Sequence, residues 1–419
     1  MSLRPPVESA HYKWVVLAVG MFAQASTSTF FQGLGSIGPA IRAEEGLTLG
    51  QLGLLLGAPM AGFVVTLLAW VAATDRFDER AVMTVGLTAT AAFLLLTSCV
   101  SGLWPLCVCL GLAGAAGASV NAASGRAVLR WFTRNRRGFA MGLRQTSVPL
   151  GAAAAAVMLP SLVARGGIGF GMRTLAAICV VGAVTSWLWV REPPTAATDS
   201  ASTTPVPTPR ETPEQRRVRR QSFRDVVTAG TALVICQTVF VSFVVEMLHG
   251  HRGMSLRDAG LVFASAQLGG AAARIAVGVW SDRTPDRLAP LRVMSFAMAA
   301  GAVALGLAVN GPLTLLVTLS VVVGTCVICW NGVAFTAVGE LAAPGRTGTA
   351  LGLQSTANYF MASITPFVMG TFIATSGFAL GFGVIALPAA LAGILLLRAN
   401  ARHTTPMEEN MSRDDHRQV

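Results

Sequence analysis

The stretch Arg274-Ile275-Ala276-Val277-Gly278-Val279-Trp280-Ser281-Asp282-Arg283 places one arginine inside an apolar run and an aspartate–arginine pair at the end of that run. Such a run predicts a helix, in which Asp282 lies about 12 Å along the axis from Arg274 at about 1.5 Å per residue. A charged side chain inside a membrane helix is costly and is usually functional. Arg274 is therefore the first candidate site residue, and we expect Asp282 and Arg283 where the helix leaves the bilayer.

The composition predicts a membrane protein. Hydrophobic residues make up 53% of the 419 residues, charged residues make up 12%, and the mean hydropathy is +0.60. These values depart from those of soluble domains. Apolar runs of about 20 residues are long enough to cross a hydrocarbon core of about 30 Å as helices. Such runs cover about residues 14–41, 49–74, 81–100, 103–129, 139–164, 171–190, 225–248, 256–281, 288–309, 313–340, 347–373 and 378–398. The sequence therefore predicts an all-α membrane protein with twelve transmembrane helices.

The net charge of +11 is distributed unevenly between the connections of these predicted helices. The basic residues concentrate on one set of alternate connections and on the termini. That set holds Arg4, Lys13, Arg76, Arg80, Arg130, Arg134, Arg136, Arg137, Arg191, the arginines of 210–224, Arg283, Arg287, Arg292, Arg346, Arg398 and Arg402. This is the positive-inside pattern, which predicts that both termini are cytoplasmic. The basic charge thus indicates topology at a lipid bilayer and no nucleic-acid partner. The abundance of arginine, alanine and glycine indicates a bacterial protein, and hence the inner membrane.

The chain divides into two halves that resemble each other. Residues 191–224 are rich in Pro, Thr and Arg and predict a cytoplasmic linker. They separate six predicted helices in residues 1–190 from six in 225–400, and a polar tail (401–419) follows. A shift of 207 residues places Leu49, Gly53, Gly62, Asp75 and Arg76 on Leu256, Gly260, Gly269, Asp282 and Arg283. The sequence therefore predicts two pseudo-symmetric six-helix bundles with a cavity between them.

The segment Gly278 to Asp282, Arg283 and Arg287 resembles the loop signature of the major facilitator superfamily of membrane transporters. A first copy keeps Asp75, Arg76 and Arg80 but has Val71 and Asp78 where the family usually has glycine. The resemblance implies that each aspartate faces a helix N-terminus of the other half, near Gly348 or Gly138, and closes the cytoplasmic side. Glu340 is a candidate partner of Arg283 or Arg287. The predicted gating residues are Asp75, Arg76, Arg80, Arg137, Asp282, Arg283, Arg287, Glu340 and Arg346.

Arg144 and Arg274 are the candidate ligands for a substrate. Both are expected in the cytoplasmic half of the membrane, and their repeat counterparts are the uncharged Gln354 and Leu67. The guanidinium group suits a carboxylate or an oxyanion. The pattern Arg-x-x-x-Gly-x-x-Ser-Asp is similar to carriers of nitrate, oxalate and monocarboxylates, which implies that Arg274 contacts an anion. The alternative is a structural arginine, bonded to carbonyls or to a carboxylate where the halves meet.

Polar residues of the other predicted spans are candidates to complete a substrate pocket or to join helices. They are Gln24, Asn121, Gln237, Gln267, Asn331, Gln354 and Asn358. Glu246 is the one candidate carboxylate within a predicted span and lies near its outer end. It is a candidate for proton coupling, with an outer-gate or surface carboxylate as the alternative.

These features predict a secondary transporter of a small organic anion, a carboxylate by preference, that works by alternating access as a monomer. A proton is a second candidate partner, and we expect neither a cofactor nor a metal. The alternative is a proton-coupled exporter of drugs or of a secondary metabolite. A transporter-derived receptor is less favoured because the sequence shows no signalling domain. An enzyme is also disfavoured, since we find no phosphate loop, metal-ligand cluster or catalytic triad.

Overall fold

The computed structural model describes residues 11–193, 212–284, 286–343 and 346–415, and the side chains of residues 134, 135, 138 and 401–415 lie outside that description. The described residues form α-helices joined by short connections. The helices are α1 (Tyr12–Phe31), α2 (Gly38–Glu45), α3 (Leu49–Arg76), α4 (Glu79–Thr97), α5 (Leu103–Trp131), α6 (Arg134–Gln145), α7 (Ser147–Trp189), α8 (Pro213–Glu246), α9 (Leu256–Arg283), α10 (Ala289–Ala308), α11 (Leu313–Cys329), α12 (Asn331–Leu341), α13 (Thr347–Val384) and α14 (Ala386–Asp415). A 3₁₀ helix (Gly33–Ile37) precedes α2, and a π-helix (Met247–His251) follows α8.

Ten helical segments of the described chain are long and apolar enough to cross a membrane, so the predicted all-helical membrane protein is confirmed. Two of them, Phe139–Trp189 and Thr347–Asn400, have 51 and 54 residues. Each is about twice the length that one crossing needs. Gly167 interrupts the first segment with φ +71°, and Gly377 interrupts the second with φ +81°. Only glycine adopts this backbone conformation readily, so each long segment turns at its glycine.

The predicted linker is shorter in the structure than in the sequence pattern. Residues 194–211 lie outside the described residues, but α8 begins at Pro213. Thr212 and Gln215 form a capping box, in which each side chain bonds the backbone of the other residue, at 3.0 and 3.2 Å. A capping box followed by proline starts a helix. The basic residues 216–224 therefore belong to α8, which continues into the next apolar segment. The backbone of the predicted tail is helical through Asp415.

Helices α3 and α13 join the two halves on one side of the bundle. We call this side, which carries residues 32–48 and 247–255, the far side. The opposite side, where α1 and α8 begin, is the terminal side. A Cβ atom added at Gly53 would lie 2.0 Å from the Pro366 carbonyl oxygen, and one at Gly57 would lie 2.2 Å from that of Ser363. The far-side backbones of α3 and α13 are therefore in direct contact.

The terminal side is open. A Cβ atom added at Gly142 of α6, Gly278 of α9 or Gly348 of α13 would meet no atom within 4 Å. The halves therefore touch closely on the far side, whereas these glycines of the terminal side make no contact of this kind. This is the pattern expected of a cleft between the halves that opens toward the terminal side.

Candidate functional site

Arg144 lies near the end of α6 and is 2% exposed. Its Nε donates a 3.0 Å hydrogen bond to Oγ of Ser124, and its Nη2 donates to both the backbone oxygen and Oδ1 of Asn121, each at 3.0 Å. Ser124 and Asn121 lie about one turn apart on α5, so both point toward the end of α6. Asn121 was expected in the site, and the structure places it there as a ligand of Arg144.

Arg274 lies on α9 and is half-buried. Its Nη1 donates a 2.9 Å hydrogen bond to the backbone oxygen of Gln145, and its Nη2 donates at 2.8 Å to that of Ile328. Its Nε is buried without a hydrogen-bond partner in the described part of the chain. Gln145 belongs to the first half and follows Arg144 directly. Arg274 therefore connects the two halves through the backbone of the residue next to Arg144. This contact agrees with the expectation that the two arginines lie at similar depth.

Neither arginine has a carboxylate within 4 Å among the described residues. Other arginines of the chain do have one, including Arg126, Arg130, Arg287 and Arg292. The partners of Arg144 and Arg274 are carbonyl, amide and hydroxyl oxygens, which satisfy N–H groups without neutralising the charge. Carbonyl contacts are also what a structural arginine makes, but a buried and a half-buried cation without a counter-charge are costly. The site is therefore suited to an anion.

Tyr359 of α13 lies across the cleft from Arg144, within range of an electrostatic interaction with it. The Tyr359 ring centroid is 4.2 Å from that of Phe63 in α3, and Phe63 is 5.5 Å from Phe31 in a T-shaped arrangement. These rings connect the halves just beyond the glycine contacts of α3 and α13. The sequence analysis missed Tyr359, since an aromatic residue in an apolar run usually indicates packing. Its position directly after Asn358, and the presence of only two tyrosines in the chain, were the available signals.

The remaining predicted polar residues, apart from Gln267, form hydrogen-bonded pairs. Gln24 donates from Nε2 to Oε1 of Gln145 at 3.1 Å, which connects it to the arginine site through Gln145. In the second half, Asn331 donates to Gln237 at 2.9 Å, and Gln354 donates to Asn358 at 2.6 Å. These two pairs join helices or neighbouring turns, and no hydrogen bond in the described part of the chain connects them to an arginine.

Gln267 is fully buried on α9, two turns from Arg274. Neither polar atom of its amide has a hydrogen-bond partner in the described residues. Buried polar groups of this kind usually bind water or a ligand, so Gln267 stays a candidate for substrate contact.

The first copy of the loop signature forms ion pairs inside its own half. Arg126 of α5 pairs with Asp75 at 2.5 Å and with Glu79 at 3.3 Å, and Arg130 pairs with Glu79 at 3.0 Å. Arg80 lies over the ring of Trp187, 4.1 Å from its centroid. Among the described residues, the ion-pair partner of Asp75 in this conformation is Arg126 of α5 in its own half, rather than the expected group of the second half.

The second copy of the loop signature makes fewer ion pairs than the first among the described residues. Arg287 pairs with Glu340, one of the two predicted alternatives. Within the described ranges, Asp282, Arg283, Arg346 and Arg76 make no ion pair, and Arg137 donates to the backbone oxygen of Phe132 in its own half at 3.0 Å. The predicted gating residues thus lie at the open terminal side without joining the halves.

Glu246 lies at the far side, as expected, and pairs with Arg42 of the first half. No group of three or more His, Cys, Asp or Glu residues suited to a metal ion occurs in the described part of the chain.

Comparison with known proteins gives consistent results. The family model of the Major Facilitator Superfamily matches residues 20–366. The chain is 35% identical over 367 residues to the uncharacterized MFS-type transporter Rv2994 of Mycobacterium tuberculosis strain H37Rv. The alignment covers 87% of this chain and 80% of that protein. The related transporter MT3072 of strain CDC 1551 matches to the same extent.

Solved structures show the same fold. A bacterial homolog to the human lysosomal transporter Spinster, in an inward-facing and occupied conformation, aligns with a TM-score of 0.78 at 14% identity, over 94% of this chain and 98% of that chain. A POT family transporter in complex with 5-aminolevulinic acid aligns with a TM-score of 0.74 at 14% identity, over 92% of this chain and 96% of that one.

Proposed function

Since this chain belongs to the Major Facilitator Superfamily, and is a secondary transporter rather than an enzyme, we propose that it carries a small organic anion, a carboxylate by preference, by alternating access. The observation that supports this substrate class is the pair Arg144 and Arg274. Both lie in membrane-capable segments, and neither has an acidic partner in the described part of the chain. A bound anion supplies the missing counter-charge and accepts from the guanidinium groups. The resemblance to nitrate, oxalate and monocarboxylate carriers agrees with this proposal.

The proposed route of transport follows from the contacts between the halves. Arg144 belongs to the first half and Arg274 to the second, so a rocking motion of the halves exposes the same site to either side. In this conformation the far side is closed and the terminal side is open. We assign the terminal side to the cytoplasm by the positive-inside pattern, so the conformation is inward-facing.

The proposed topology has twelve crossings with both termini cytoplasmic, in a bacterial inner membrane. Division of the segments Phe139–Trp189 and Thr347–Asn400 at Gly167 and Gly377 raises the ten helical segments to twelve. Each resulting piece is long enough for one crossing.

The loop-signature residues form the proposed cytoplasmic gate. Asp282, Arg283 and Arg346 make no ion pair in the described ranges, which suits groups that find partners only when the halves close at this side. Asp75 then exchanges Arg126 for a helix N-terminus of the second half, since helix N-termini favour anions. Arg76, Arg80, Arg137, Arg287 and Glu340 complete the gate.

Uptake into proteoliposomes tests the substrate class. A panel of labelled carboxylates, together with nitrate, is compared in the wild type, Arg274→Ala and Arg144→Ala. Arg257→Ala is the matched control, because Arg257 lies on the same helix as Arg274 but is exposed at the far side. We expect uptake of at least one carboxylate by the wild type and the control, and loss in both site variants. A response of that uptake to an imposed pH gradient shows whether a proton accompanies the anion.

Transport of cationic or neutral amphipathic compounds by all four proteins, with no transport of any anion, would contradict the proposal. That result would favour the exporter and leave both arginines with structural roles.

A further inference from the structure

The halves are joined on the far side by one ion pair. Arg42 lies in the last turn of α2, in the first half, and Glu246 is the last residue of α8, in the second half. Arg42 Nη2 lies 2.7 Å from Oε1 of Glu246. The Glu246 side chain is 2% exposed, whereas that of Arg42 is 39% exposed. The carboxylate is thus the buried member of the pair and the guanidinium the member in contact with water.

Only one of the two oxygens of the Glu246 carboxylate has a partner in the described part of the chain. Its Oε2 is buried without a hydrogen-bond partner in the described part of the chain, and so is Nε of Arg42. The neighbours of Glu246 along the chain, Val245, Met247 and Leu248, are fully buried and apolar. An ionised carboxylate in such surroundings depends on its counter-charge. Arg42 is therefore the group that can stabilise the charged form of Glu246.

A cavity of about 380 Å³ lies beside the pair. Besides Arg42 and Glu246 it is lined by Leu49, Gly250, His251, Ile373, Ala374, Gly377 and Phe378. These residues come from both halves and from the π-helix Met247–His251, a kind of element that is frequent at functional sites. The exposed His251 shows that the cavity reaches the far-side surface. Far-side water therefore has access to the neighbourhood of the carboxylate.

We propose that Arg42 and Glu246 form a proton-operated lock on the far side: the ion pair holds the halves together, and a proton from the far-side solution releases them by neutralising Glu246. The charged and titratable groups that face Glu246 are Arg42 from α2 and His249 from the π-helix, with His251 on the cavity wall. From α3 and α13 the cavity receives only Leu49, Ile373, Ala374, Gly377 and Phe378.

The two states of the lock balance charge in different ways. When the far side is closed, Arg42 neutralises the carboxylate. When the halves separate there, Arg42 leaves with the first half, and a water-derived proton forms an O–H bond on Glu246. The neutral acid tolerates the apolar surroundings that the carboxylate does not. On closure, the proton returns to the same solution as Arg42 rebinds, so the lock regulates opening without carrying a proton across the membrane.

This inference rests on the proposed alternation of the halves but not on the identity of the substrate. Spin labels at Ala164→Cys and Arg257→Cys report the far-side distance between the halves, since both positions are exposed there, one in each half. The labels are placed in a background in which the thiols that are not buried, Cys99, Cys107 and Cys326, are replaced by serine. Distances are measured by pulsed electron spin resonance without substrate, at about pH 5 and about pH 8, a range that includes titration of a buried carboxylate.

We expect the labelled protein with Arg42 and Glu246 intact to shift toward a longer distance between the far-side labels at the acidic pH. Glu246→Gln and Arg42→Gln should show the longer distance at both pH values, because neither can form the ion pair. Asp258→Asn, which changes an exposed far-side carboxylate, should respond to pH like the labelled protein with Arg42 and Glu246 intact. The proposal is overturned if Glu246→Gln keeps the pH response, if the distances do not change with pH, or if His249→Gln or His251→Gln abolishes the response. Failure of anion uptake alone leaves these results unaffected and concerns only the substrate class.

Discussion

Arg274 of the second half donates a 2.9 Å hydrogen bond to the backbone carbonyl of Gln145, the residue that follows Arg144 in the first half. The contact connects Arg274 to the backbone next to Arg144, although the two arginines belong to different bundles. It also means that Arg274 has a neutral partner when no anion is present. On the proposed function, an anion bound by Arg274 would compete with this carbonyl for Nη1, which would couple binding to the relative position of the halves.

Replacement of Arg144 tests the more buried of the two cations. Hydrogen bonds to charged groups contribute about 1.5–3 kcal/mol each, so Arg144→Ala should weaken anion binding by about 10-fold or more. Arg144→Lys should restore the charge but only part of the binding, because a lysine lacks the planar fork that matches Ser124 and Asn121. Anion affinity measured by competition with a labelled substrate checks both variants. Equal affinity in Arg144→Ala and wild type would remove Arg144 from the site.

Two substitutions of Tyr359 separate its hydroxyl group from its ring. Tyr359→Phe keeps the contact with Phe63 and should lower anion affinity only moderately, through loss of the phenol near Arg144. Tyr359→Ala also removes the ring contact between α3 and α13, so it should reduce the transport rate further. The comparison of KM with the maximal rate distinguishes the two effects. If Tyr359→Phe and Tyr359→Ala behave alike, the ring contact has no separate role.

Glu79 anchors the ion pairs of the first loop signature. Its carboxylate is buried, accepts from Arg130 and forms an ion pair with Arg126. Glu79→Gln leaves only the exposed carboxylates of Asp75 and Glu192 as counter-charges for the two arginines. It should lower the free energy of unfolding by about 2–3 kcal/mol, less than for a fully buried pair because the arginines are partly exposed. Glu192→Gln is the control. Glu192 is exposed and also pairs with Arg130, so its loss should cost below about 1 kcal/mol. Thermal unfolding in detergent measures both, and equal midpoints would contradict the ranking.

The glycine contacts of α3 predict an effect on far-side closure. A side chain at Gly53 collides with the backbone at Pro366, so Gly53→Val should prevent α3 and α13 from reaching the closed far-side arrangement. We expect strong loss of transport together with a longer far-side distance between spin labels. Gly383→Ala is the control, since its Cβ meets no atom within 4 Å and its backbone neighbour Gly306 belongs to the same half. Normal transport by Gly53→Val would show that this contact is not required.

The fold class could be predicted from hydropathy alone, because a chain this apolar can satisfy its backbone in lipid only through helices. Arg144 and Arg274 are candidates from the sequence because charge is rare in such runs and their repeat counterparts are uncharged, and their role as anion ligands stays a prediction. The location of the helix breaks at Gly167 and Gly377 was visible only as gaps between apolar runs. The start of α8 at Pro213 was missed because the basic composition of the following residues suggested a linker.

The Arg287–Glu340 pair was one of two predicted alternatives, whereas the partners of Asp75 and Glu246 could not be predicted. Asp75 was expected to face the second half but pairs with Arg126, because the conformation at hand is open on that side. Arg42 was not connected to Glu246, since nothing in the local sequence of either indicates contact between distant segments. Ion pairs that depend on the relative position of two bundles can be identified only from the structure.

Thermal stabilisation by anions tests the central claim most directly, because it requires no knowledge of direction or coupling. A ligand that binds the native state raises the unfolding temperature, and the increase grows with the ratio of its concentration to its Kd. Purified wild type, Arg144→Ala, Arg274→Ala and Arg257→Ala are each heated with a panel of carboxylates, nitrate, and neutral and cationic analogues. The account predicts that at least one anion stabilises the wild type and Arg257→Ala but neither of the other two variants. Equal stabilisation of all four proteins by that anion, or stabilisation by the cationic and neutral compounds alone, would contradict an anion site at Arg144 and Arg274.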